Sequence, residues 1–211
     1  LRNIVFISIF FVLLIFGSNF FSKYRHSTSF YKKFPEYNLI VSFSKKYKAQ
    51  TGLELYSYGV NQSVTKDRKS INGVADFGAS YYVRKKRTDS ISIKEARSIL
   101  VALTEAFIEN VNSNTEIRPR LDVYPITYKE MSISLYFVDE NNVDLGSGVS
   151  DVYFNNNEVR YGKYDISDYD GRSNTVGKHS TICTETYEEA LDIARNDGSL
   201  ASQTKLFKGV I

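Results

Sequence analysis

Hydrophobic positions first cluster at the start of the chain, where only Ser8 is polar between Ile4 and Phe16. A membrane-spanning helix needs roughly 20 apolar residues, whereas the core of an export signal needs about 7 to 15. The uninterrupted run therefore fits a cleavable signal better than a span. Arg2 supplies a minimal positive start, and Gly17 and Ser18 offer small residues for cleavage. Residues 1–22 are expected to be a signal peptide or membrane anchor, followed by a polar linker over 23–34. If the apolar run is retained, Lys23, Arg25, Lys32 and Lys33 behind it favour a body on the cytoplasmic side.

Beyond the linker the pattern alternates between helical and strand periods. "PEYNLIVSFSKKYKAQTG" (35–52) reads as a helix, with Pro35 suited to its first position, Gly52 to its stop, and Ile40, Phe43 and Tyr47 on one stripe. "LELYSYGVNQSVT" and "GVADFGASYYVRKKR" alternate like paired strands around a basic loop. "SIKE" at Ser92–Glu95 predicts a reciprocal capping box for a long helix. Its apolar stripe runs through Ile93, Ala96, Leu100, Leu103, Phe107 and Val111, widened by Ile99 and Ala106. After a proline-bearing connection, "MSISLYFVD", "GVSDVYFN" and "EVRYGKYDI" read as an antiparallel meander with a wet outer face. A further strand is expected around His179–Thr184, and a short helix from the capping box Thr186–Glu189 to Asp197-Gly198.

The expected fold is thus α+β, an antiparallel sheet covered on one face by helices and preceded by the apolar segment. Residues 35–198 are read as one domain, with two lobes (35–90 and 91–198) as the alternative division. No periodicity marks an element in the tail, 199–211.

Composition narrows the class. A hydrophobic content of 42% with three prolines argues against disorder. Cys183 is the sole cysteine, so no intramolecular disulfide forms and packing must supply stability. Charge is uneven. Residues 1–90 hold 15 Lys and Arg against 5 Asp and Glu, and residues 91–211 hold 12 against 19. Two halves of opposite sign can neutralise each other, or leave a basic surface for an anionic partner.

Candidate chemistry is thin. Of two histidines, His26 lies in the linker, and His179 sits four residues from Cys183. On a strand those two share a face about 13 Å apart, too far for a shared metal or a nucleophile pair. Asp168, Asp170 and Gly171 sit like the middle of a calcium loop, but Ile166 and Gly177 occupy its terminal positions. Asp139, Glu140 and Asp144 gather at a turn, where charge is expected for solubility alone. There is no glycine-rich phosphate loop, nucleophile elbow or dinucleotide fingerprint. No catalytic set, metal or cofactor is expected. Asn61 opens one glycosylation triplet, "NQS".

Two groups are candidate contact residues. Arg84, Lys85, Lys86 and Arg87 are the densest basic run, suited to anionic headgroups or an acidic partner; without a recognised binding module around them, nucleic acid is disfavoured. Arg118, Arg120, Tyr124 and Tyr128 combine charge with rigid aromatic area in the "IRPRLDVYPITY" connection. The competing reading of that connection is a packed crossover whose path Pro119 and Pro125 set.

The stretch Ala96–Phe137 resembles a group of small exported proteins, uncharacterised in function, from chlamydia-type intracellular bacteria, through its long helix, its "IRPRL…YP" loop and the strand that follows. The resemblance implies bacterial export and brings no activity or site residues. The function expected from all this is an exported, membrane-proximal binding or interaction module without catalysis. A hydrolase with an unrecognised site on the outer sheet face, or a structural envelope protein, are the alternatives. Partners are the membrane, through the N-terminal segment, and a protein or anionic surface.

Overall fold

Pro35 opens helix α1 (Pro35–Thr51), and Gly52, at φ 69°, closes it in a left-handed conformation that favours glycine. The computed structural model describes residues 34–64, 71–145, 147–165 and 178–208. The apolar segment 4–21, His26, the basic loop 65–70 and the calcium-like stretch Asp168–Gly171 lie outside the described residues. The chain divides into two units after Asn38. In the first, Tyr37 N–H donates to the Phe34 carbonyl at the opening of α1.

From Leu39 onward the unit is built on six strands: β1 (Leu53–Val64), β2 (Ile71–Arg84), β3 (Met131–Val138), β4 (Asp151–Asn155), β5 (Glu158–Asp165) and β6 (Lys178–Thr186). They lie side by side in chain order in one sheet. The protein is α+β and its sheet is mostly antiparallel. One pair departs from expectation, because β2 and β3 run parallel, with Phe77 opposite Met131 and Arg84 opposite Val138. Helix α2 (Ile93–Ser113) and the connection after it carry the chain back past the sheet before β3 begins, as a parallel pair requires. Inward and outward residues alternate identically in both directions, so hydrophobic pattern cannot reveal this. The β2–β3 pairing also joins residues 53–84 and 131–186 into one sheet.

Inward positions make the core. Leu53, Phe77, Tyr81 and Val83 of β1 and β2 are buried, as are Met131, Ile133, Leu135 and Phe137 of β3. Val152, Phe154, Val159 and Tyr161 continue this layer through β4 and β5. Ala96, Leu100, Leu103, Phe107 and Val111 of α2 face them, the larger ones each contributing about 1.5–3 kcal/mol by leaving water. Phe107 meets Phe77 and, edge-on, Phe43 of α1. Val101, Ala102 and Thr104 lie off the expected stripe yet are buried as well. Helices α3 (Tyr187–Asn196) and α4 (Ser199–Lys208) pack on that other flank of α2. Helix α4 occupies the stretch without legible periodicity. It is held by tertiary contacts such as Tyr47 against Phe207, 5.2 Å between ring centres.

The caps differ in one respect. Thr186 and Glu189 form the full capping box. At α2, Ser92 accepts from the Glu95 N–H at 3.1 Å, but the Glu95 carboxylate pairs with Lys85 Nζ at 2.6 Å instead of reaching back. A strand-end lysine that the fold brings alongside wins over the local partner.

Candidate functional site

The outer sheet face, opposite the helices, carries the strongest concentration of chemistry. Its register builds one row across four strands: Tyr82 of β2 faces Tyr136 of β3, Tyr136 faces Asp151 of β4, and Asp151 faces Gly162 of β5. Tyr56, the extra residue of a bulge in β1, joins the row from the edge and is 60% exposed. Ring centres of Tyr56 and Tyr82 are 4.7 Å apart, Tyr82 and Tyr136 6.1 Å, and Tyr56 and Tyr136 6.3 Å. Three tyrosines thus form one cluster on an open strand surface.

At the other end of the row, His179 Nε2 lies 2.8 Å from Asp151 Oδ2, and Tyr164 packs against the imidazole at 4.8 Å. Gly162 makes this pair possible. A Cβ there would lie 2.2 Å from His179 Nε2 and 2.5 Å from Asp151 Oδ1, so only a residue without a side chain leaves the space. The imidazole is 42% exposed and sits on the face, not deep in a cleft.

The expectation that His179 and Cys183 share a face is overturned. Tyr161 pairs with Cys183 but Gly162 pairs with Thr181, so Ile182 is an extra residue in β6. The bulge inverts the alternation, sending Cys183 toward the core and His179 outward. The turn carboxylates separate too. Asp139 is buried and accepts the N–H groups of Asn141 and Val143 at 2.8 and 3.0 Å, which makes it a turn former. Asp144 bridges to Val138, two positions along β3 from the partner of Asp151. The two side chains therefore lie on the outer face about 7 Å apart along the strand direction. Burial, and then the Asp151 charge, hold the Asp144 carboxyl above the usual carboxylate range, with His179 opposing. The hydroxyls of Tyr82 and Tyr164 are raised as well, chiefly by burial and in part by the nearby Asp144 charge. Among the described residues no group of three or more His, Cys, Asp or Glu is placed to hold a metal ion.

The basic run lines a cleft of about 580 Å³ together with Asp139 and Glu140. Arg84 donates to Glu54 at 2.8 and 3.0 Å and to the carbonyls of Asp139 and Glu140 at 3.2 Å. Arg84, and then Lys48, hold the Glu54 carboxyl below its usual range. With Lys85 on Glu95, Lys86 and Arg87 are the two exposed cations of the run without an ion pair among the described residues.

The other predicted contact group lies at the opposite end of β3, about 25 Å away along the strand. The Arg118 guanidinium stacks 4.2 Å over the Tyr124 ring, whose hydroxyl donates to the Asn112 carbonyl at 3.3 Å. Asn112 holds Ile126 at both its N–H and its carbonyl, 2.9 Å each. Tyr128 stacks on buried Tyr187 and donates to Glu188, while Arg120 is exposed. Part of this connection is therefore packed, and Val123 and Tyr124 are the large apolar residues it leaves exposed.

Beneath the sheet, Arg97 of α2 makes a bidentate bond to Glu185 of β6, 2.8 and 2.9 Å, and the Tyr161 hydroxyl donates to the same carboxylate. This polar group is buried and satisfied. No family model, no curated protein and no solved structure matches the chain.

Sequence reading missed Asp151, Gly162, Tyr82, Tyr136 and Tyr164 as a group. A glycine inside an otherwise apolar-polar alternation was the available signal at 162. The others sit on four different strands and meet only through register.

Proposed function

We propose that this protein is a binding module whose contact surface is the outer sheet face, carried outside the inner membrane. The observation that carries this reading is the tyrosine cluster Tyr56–Tyr82–Tyr136, a rigid aromatic area on the face opposite the helices. Tyrosine offers large contact area at low entropic cost, which is why it is enriched at recognition surfaces. The apolar run 4–16 supports export, as does the resemblance of residues 96–137 to small exported bacterial proteins. Among the described residues no helix is long and apolar enough to cross a membrane. Lys86 and Arg87 supply a secondary contact to anionic surfaces, and Arg118, Arg120 and Tyr124 one to a protein partner.

Replacing Tyr82 and Tyr136 together with Ala tests the face. Both are only partly buried and lie outside the core, so the fold is expected to survive. Partners cross-linked to the wild-type chain in its native cells should be lost from the double variant while Arg120→Ala/Tyr124→Ala retains them; the reverse outcome moves the contact surface to the 118–128 connection. Mass spectrometry of the mature N-terminus tests the address, with Ser18 or Asn19 expected and full-length chain free in the cytosol as the refuting result.

One observation favours a second reading, an acid–base hydrolase on the same face. Asp151 holds His179 through Nε2, and Gly162 is cleared for the pair, which orients the other ring nitrogen as a proton acceptor. Turnover of a model ester that His179→Ala abolishes would establish it.

A further inference from the structure

We propose that the edge strand β1 pairs antiparallel with β1 of a second copy of this chain, through the run Ser57–Asn61. β1 closes one end of the sheet, and among the described residues no strand lies on its far side. Such an edge presents unpaired backbone donors and acceptors, which folds ordinarily guard with lysine, proline or inward charge. β1 has none of these. Of its 12 residues Glu54 is the charged one, and Lys48 and Arg84 of the same chain neutralise it at 3.1 and 2.8 Å. The opposite edge is better guarded, since β6 carries Lys178 at its head, then His179 and the extra residue Ile182.

The core also stops short at β1. Leu55 and Val60 point toward the helices yet stay only partly buried, while their partners on β2, Tyr81 and Phe77, are buried. A strand added beside β1 would finish covering them. The run itself selects the occupant. Irregularities in the β1–β2 ladder flank Ser57–Asn61, which pairs without interruption with Ser80–Asp76. Read outward from Gly59 the run is symmetric in chemistry, with Tyr58 and Val60 on the inner face and Ser57 and Asn61 on the outer one. A two-fold axis at Gly59 sets Tyr58 of one copy against Val60 of the other, an aromatic ring against a β-branched side chain, and Ser57 against Asn61. No charge meets another within the run. This register matches the whole run to itself while inward residues stay inward. The axis stands perpendicular to the sheet, so the Tyr56 clusters of both copies share one side of a continuous sheet. The pairing does not depend on what the outer face binds.

Sedimentation of the full chain in neutral detergent tests this, with a dimer expected. Positions 57 and 61 are exposed, and the Asp76 carboxylate that Asn61 bonds at 2.8 Å can accept a lysine there, so substitutions at both should leave the fold intact. Ser57→Lys/Asn61→Lys sets like charges opposite each other twice across the axis and should weaken the dimer about tenfold or more. Ser57→Glu/Asn61→Lys sets opposite charges at the same two contacts and should restore it. The two variants differ only at position 57, so a folding defect cannot mimic opposite outcomes. A monomeric wild type overturns the pairing, as does a dimer that Ser57→Lys/Asn61→Lys leaves unchanged, the result that association through segment 4–21 would give. Failure of Ser57→Glu/Asn61→Lys to dimerise overturns it too, and so does a β1 found cross-linked in native cells to a strand of another protein instead.

Discussion

Gly162→Ala separates what the His179–Asp151 pair does from what the sheet needs. The added methyl would start 2.2 Å from His179 Nε2 and 2.5 and 2.7 Å from the two Asp151 oxygens. Ordinary contact requires about 3.5 Å, so the imidazole must withdraw by more than about 1 Å and the 2.8 Å bond must break. The loss in stability is small, because a pair on the sheet surface, here with its imidazole 42% and its carboxylate 14% exposed, contributes about 1 kcal/mol and both groups are free ends of side chains. Alanine also regains about 0.5–1 kcal/mol over glycine in a strand interior. These terms nearly cancel, and the melting temperature should move by no more than about 4 °C. The imidazole reports the break. A carboxylate only accepts, so neutral His179 in the wild type carries its proton on Nε2, which long-range proton–nitrogen correlation detects as one tautomer. In Gly162→Ala the two tautomers should mix. A variant that keeps the single Nε2–H pattern, or that melts more than about 10 °C lower, would refute the reasoning that glycine here serves the pair and not the backbone.

Two further outcomes follow from buried charge. Asp144 has its native carboxyl raised above the unfolded value, so the folded chain prefers the protonated form; its stability is full below the unfolded value and falls as pH rises through the native one. Asp144→Asn should therefore unfold at higher urea than wild type near about pH 7 and match it near about pH 3; identical midpoints at both would contradict the burial assigned to it. Glu185→Leu strands Arg97, whose side chain is 11% exposed, and should cost about 3–5 kcal/mol. Adding Arg97→Met should recover part of that, with a coupling of about 1–3 kcal/mol, and strictly additive losses would show the pair to be inert.

What the sequence alone determined is what depends on neighbours along the chain. The limits of α1, α2 and α3 follow from Pro35, Gly52, Ser92, Thr186 and the helical stripes, and the strands follow from alternation. Each of these signals acts over a few residues, so it survives without the fold. The direction of β3 against β2, the helix at 199–208 and the fate of Glu95 were decided by contacts between distant segments. The candidate site belongs wholly to that second kind. A bulge at Ile182 turns His179 outward, the excursion over 139–150 sets Asp144 beside Asp151, and register across four strands brings Tyr82, Tyr136, Asp151 and Gly162 into one row. A shift of one residue in any pairing would send those side chains to the opposite face. Only the closed tertiary structure, through its buried inner layer, holds the register that makes them a site.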